Sequence, residues 1–102
     1  MSNPDLELIP KETSKVYYLV KDFIRRRKLS TGDCRTFYTP LEWKYRKEEC
    51  SQGALLVMVY DGSEVKRLVD EWDMGATFQK YLNKHGYYVE QGTHWYAGIY
   101  KI

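Results

Sequence analysis

Histidine, cysteine and proline are all scarce in this chain, at two, two and three among 102 residues. Imidazole chemistry therefore has only His85 and His94 as centres, and Cys34 and Cys50 complete no C-x₂-C or H-x₃₋₅-H zinc spacing. Neither a metal site nor a cofactor is expected. Also missing are a glycine-rich phosphate loop, a nucleophile elbow and a calcium-loop pattern. Asp61, Asp70, Glu71 and Asp73 read as a solvated helix face instead. No apolar run reaches the length of a membrane span, and the opening "MSNPDLELIP" is polar and acidic rather than charged and then apolar. The expectation is a cytoplasmic, soluble protein with reduced thiols and no membrane partner. A large charge of one sign is absent too. The net charge of +2 and pI near 8.5 permit a nucleic-acid partner without arguing for one.

What the chain has in excess is tyrosine, with ten, beside three tryptophans. Tyrosine keeps an apolar body and a polar tip, so it serves both core and half-exposed surface. Residues 1–10 are expected to be a flexible tail, with Leu6, Leu8 and Ile9 able to dock on the body, and residues 11–102 a single α+β domain. Val16, Val20, Phe23 and Ile24 fall on one helical face, capped by Thr13 or Ser14 and stopped by "STG" at Ser30–Gly32. "CRTFY", Cys34 to Tyr38, reads as a short strand. In "TPLE", Thr39 and Glu42 form a capping box with Pro40 at N1, opening a charged helix to about Glu49. "ALLVMVY", Ala54 to Tyr60, is a central strand buried on both faces. Val65, Leu68, Val69 and Trp72 then mark a helix capped by Asp61 with Glu64. Met74 and Gly75 break it, and a second short helix ends at Gly86. The fold class is α+β: a small, mainly antiparallel sheet of about four strands, helices on one face, and a C-terminal β-hairpin.

That hairpin, "GYYVEQGTHWYAGIYKI", carries the functional expectation. A turn with Gly92 in the left-handed position pairs Val89 with Thr93, Tyr88 with His94 and Tyr87 with Trp95. Alternation then puts Tyr87, Val89, Thr93, Trp95, Ala97 and Ile99 on the core face, and Tyr88, Glu90, His94, Tyr96, Gly98 and Tyr100 on the other. Three tyrosines and a histidine facing water suggest a recognition surface for a protein partner or for a second copy of the chain, with residues 100–102 as an exposed edge. Nucleic acid is the second partner class. Bases would stack on the tyrosines while Arg25, Arg26, Arg27 and Lys28 hold phosphates, although four cations also suit the C-terminal turn of a helix.

The third expectation is chemical and centres on His94, which lies near Glu90 and the phenols in this register. The run "FQKYLNKHGYYVEQGTHWY" resembles the helix, glycine, hairpin and Gly-Ser/Thr-His stretch of the HicA-type toxins, small RNA-cleaving proteins of double-stranded-RNA-binding fold. The resemblance covers about a fifth of the chain through a loose motif and omits that family's last strand and helix. It implies that His94 is the candidate catalytic residue. Binding without catalysis remains the principal reading.

Overall fold

The structure, a computed structural model, describes residues 11–32 and 35–102; the amino-terminal tail and Cys34 lie outside them. Helix α1 spans Glu12–Arg26, strand β1 Phe37–Tyr38, helix α2 Pro40–Arg46 and strand β2 Leu56–Val59. A 3₁₀ turn at Glu64–Lys66 leads into α3, Arg67–Asp70, and α4, Trp72–Lys84. The chain closes with β3, Tyr87–Gln91, and β4, Tyr96–Lys101. All three strand pairs are antiparallel, in the order β1-β2-β4-β3, so the fold is α+β with a C-terminal hairpin as the pattern predicts. No described helix is long and apolar enough to cross a membrane.

The strongest local signals hold. Thr39 accepts from the Glu42 N–H while the Glu42 carboxylate accepts from the Thr39 N–H, the reciprocal capping box, with Pro40 at the first helical position. Leu56, Val57 and Met58 are buried, so β2 is central and covered on both faces. Other boundaries move. α1 begins at Glu12 because Thr13 does not cap it; its hydroxyl donates instead to the Leu55 carbonyl at 2.8 Å. The helix ends at Arg26, before "STG". Lys28 turns left-handed at φ 56° and the Leu29 N–H closes back on the Ile24 carbonyl, with Leu29 buried. Likewise Lys47 at φ 57° ends α2 at Arg46, short of Glu49.

The expected break at Met74 and Gly75 is corrected. Both lie inside α4, and the chain turns at Glu71, which is extended at φ −89° and ψ 126°. That turn resets the helical phase, so Trp72, expected in the buried stripe, is 88% exposed. A Cβ on Gly75 would stand 3.4 Å from the Leu68 carbonyl oxygen, an ordinary van der Waals contact, so α4 passes close to the end of α3 there without requiring a glycine. The cap before α3 is also Ser63 rather than Asp61: its hydroxyl accepts from the Val65 N–H at 3.3 Å.

α1, α3 and α4 pack on one face of the sheet, where Val20, Phe23, Leu68, Phe78 and Leu82 meet Leu56, Met58 and Ile99. The short α2 lies on the other face, where Trp43 joins Ala54, Val57 and Tyr96 in a second, smaller cluster. β4 runs between β2 and β3, but its β2 ladder ends at Ile99: residues 100–102 pair with β3 and Gly86 on one side and have no ladder partner on the other among the described residues.

Candidate functional site

The hairpin forms with a different register from the expected one. Tyr88 pairs with Tyr100, Val89 with Ile99 and Gln91 with Ala97, leaving Gly92–Trp95 as the loop. The cause is long-range. Tyr60, wholly buried at the end of β2, donates its hydroxyl to the Thr93 and Tyr96 carbonyls at 2.8 and 3.0 Å. The Gly92 and Thr93 N–H groups both point to the Tyr96 carbonyl. Residues 93–95 are thereby held out of the ladder. The slide is by an even number of residues, so alternation still places Tyr88, Glu90, Tyr96, Gly98 and Tyr100 on a common face.

Helix α2 covers part of that face, which corrects the expectation for Tyr96. Its ring meets Trp43 edge-on at 4.7 Å, its hydroxyl accepts from the Cys50 N–H at 3.2 Å, and it is 1% exposed. It is a core residue. Burial pushes its phenol pKa up, against the Cys50 N–H that lowers it. Tyr88 and Tyr100 remain half-buried, stacked at 5.3 Å with 22° between their planes. Glu90 beside them is exposed. Burial raises the Tyr100 pKa as well, with the Ser51 hydroxyl opposing. His94 is exposed in the loop rather than opposite Tyr88, and so stands apart from the tyrosine pair. His85 follows α4 at its C-cap, its ring edge-on to Tyr81 at 5.2 Å.

Three residues not singled out beforehand complete the surface. The Arg46 guanidinium lies 5.3 Å from the Tyr38 ring, 5.3 Å from Trp43 and 5.8 Å from Trp95. Arg35 lies 4.5 Å from the Tyr38 ring on its own account. Trp95, expected in the main core, is half-buried against Trp43 and Tyr96 instead. Arg46 also approaches Glu48 at 3.5 Å, and Arg35 pairs with Glu42. A cation over several rings is attracted by their quadrupoles and held in place without losing its fork of donors. The i,i+3 spacing of Trp43 and Arg46 on α2 was the available sequence signal, but the ring partners come from β1 and the hairpin loop.

Arg25, Arg26, Arg27 and Lys28 end α1, on the opposite side of the sheet from the tyrosines. Asp22 takes Arg25 at 2.7 Å and Arg26 at 2.9 Å, and the Arg25 hydrogen bond is the main reason its pKa is lowered. One strand of nucleic acid cannot stack on Tyr88 and Tyr100 while these four residues hold its adjoining phosphates. Among the described residues, no three His, Cys, Asp or Glu side chains gather as a metal site. Comparison with protein families, with characterised proteins and with solved structures finds no match to this chain.

Proposed function

We propose that this protein is a binding module that recognises a protein partner through the aromatic and arginine side chains on the α2 side of its sheet. Tyr88 and Tyr100 form one end of the surface; Trp95, Tyr38 and Arg46 form the other. The observation that carries the reading is Arg46 set against three aromatic rings with its side chain still 42% exposed. Tyr, Trp and Arg are the residue types that dominate binding energy at interfaces, and rings already packed lose little freedom when a partner arrives. Tyr45, 68% exposed on α2, extends the apolar area.

The test replaces Tyr100 by Ser and Arg46 by Ala together, and compares photo-crosslinking in the native cell extract with the wild type and with Lys44→Gln/Lys66→Gln. A cross-linked species, a second copy included, should vanish in the first variant and survive in the second. Its survival in both overturns the reading. Loss of the stacked pair should cost only about 0.5–1.5 kcal/mol, so the variant stays folded. The RNA-cleaving alternative now rests on His94 by itself, because the tyrosines and Glu90 no longer surround it.

A further inference from the structure

On the other side of the sheet, the end of α1 and the last turns of α4 enclose a cleft of about 330 Å³. Arg26 and Arg27 form one wall, Lys80 and Lys84 the other, and Phe23 and Tyr81 the floor. All four cations are exposed, and Arg27, Lys80 and Lys84 form no ion pair among the described residues. The helix dipole favours cations at the C-terminal ends of α1 and α4, which accounts for single residues. It does not account for four facing one another, nor for Lys80 and Lys84 at i,i+4, a like-charge spacing that weakens a helix. The last α1 carbonyls are moreover already taken: Phe23, Ile24 and Arg25 accept from Arg27, Leu29 and Lys28.

The wider charge distribution points the same way. Residues 11–28 hold seven cations against two acids, Glu12 and Asp22, while residues 61–73 hold five acids against two cations. Glu12 pairs with Lys101 at 3.1 Å, and Asp22 lies outside the cleft lining but bonds Arg26 at 2.9 Å, so Arg27, Lys80 and Lys84 are the cleft cations left uncompensated. A nearly neutral protein is thus polarised, and would be oriented by a polyanion before contact. Cations on two walls ask for a ligand with several anionic groups held at a spacing. The Tyr81 hydroxyl donates to the Leu19 carbonyl at 2.9 Å and its ring lies against Phe23 at 5.0 Å, so no free ring is offered for stacking.

We propose that this cleft binds the phosphodiester backbone of nucleic acid, without regard to sequence, independently of the protein-binding face. Arg26 and Arg27 present planar forks to phosphate oxygens, and Lys80 and Lys84 act as point charges across from them.

The experiment is fluorescence anisotropy of a labelled mixed-sequence DNA duplex, and of the matching RNA duplex, with the full chain. Three uncompensated cations give a log–log salt slope near about −2.7, hence about 40-fold weaker binding between about 50 and 200 mM salt. Lys80→Gln/Lys84→Gln should lower the steepness by about 2, and Lys44→Gln/Lys66→Gln should leave it unchanged. Both pairs are surface changes whose folding is checked by circular dichroism. Absence of binding at low salt, a slope near zero, or equal losses in the two variants would overturn the proposal. So would displacement of the duplex by polyglutamate at equal charge as readily as by unlabelled duplex, which would make the cleft a site for acidic protein.

Discussion

The carboxamide of Gln79 on α4 bonds the backbone of Val89 twice, donating to its carbonyl at 3.0 Å and accepting from its N–H at 2.9 Å. Val89 sits on β3, an outer strand, at a position whose backbone groups point away from β4. At the opposite edge the Arg35 Nε donates to the Phe37 carbonyl at 2.9 Å. Side chains therefore occupy outward backbone groups on both edges of the sheet, the groups through which strands of different molecules would pair.

Gln79→Ala is expected to cost about 1–2 kcal/mol by removing both bonds, and to promote self-association through β3. Sedimentation velocity over a concentration series reads the second effect. Sedimentation identical to the wild type would show that the carboxamide does not protect this edge.

Tyr60 links pH to stability. Burial raises its phenol pKa above the ordinary value of 10.0, and burial raises those of Tyr81, Tyr96 and Tyr100 in the same direction. The folded state therefore favours the neutral phenol. Stability is fully present below about pH 10 and falls as pH rises toward the folded values, by up to about 1.4 kcal/mol per pH unit for each tyrosine. Tyr60→Phe should cost about 1–3 kcal/mol at neutral pH, since the Thr93 carbonyl loses the Tyr60 hydroxyl while the Tyr96 carbonyl keeps the Gly92 and Thr93 N–H groups. It should also flatten the alkaline decline, so urea unfolding of the two proteins converges as pH is raised. Parallel curves throughout would mean that Tyr60 is not a source of the decline.

Ser51 is a buried, left-handed residue beside the candidate surface, at φ 64°. Its Oγ makes no bond of hydrogen-bonding geometry although it lies near Tyr100. Two glycines give it room. A Cβ at Gly92 would lie 2.7 Å from that Oγ, and one at Gly98 would lie 3.0 Å from it and 2.9 Å from the Ala54 Cβ. Ser51→Gly should add about 1 kcal/mol by relieving the left-handed backbone, and Gly98→Ala should cost about 1–3 kcal/mol by overpacking. The double variant should recover part of the loss, because the two sites share the same space. Thermal unfolding of all three decides it; a lower Tm for Ser51→Gly would reveal that the hydroxyl holds Tyr100 after all.

Much of the architecture was legible because it depends on neighbours in the chain. The Thr39–Glu42 box, the buried strand within Ala54–Tyr60 and the helical stripe from Val16 to Ile24 are each read within a few residues. The turn at Glu71 was not, because nothing in "DEWDMG" marks it; packing of α4 against α3 and β3 fixes it, and the glycine that looked like a breaker lies inside α4.

The sequence by itself determined which hairpin side chains share a face, since alternation is a property of a single strand and an even slide preserves it. Only the tertiary structure decided what that face does. Tyr60, thirty-three residues before Thr93, set the register, and Trp43 removed Tyr96 from the surface while it brought Arg46 among the rings. The same holds for the cleft, whose arginines and lysines lie more than fifty residues apart and meet because α1 and α4 bury their apolar stripes against one sheet face. Charge and ring positions follow from where buried side chains anchor the backbone, and that is settled between elements rather than within them.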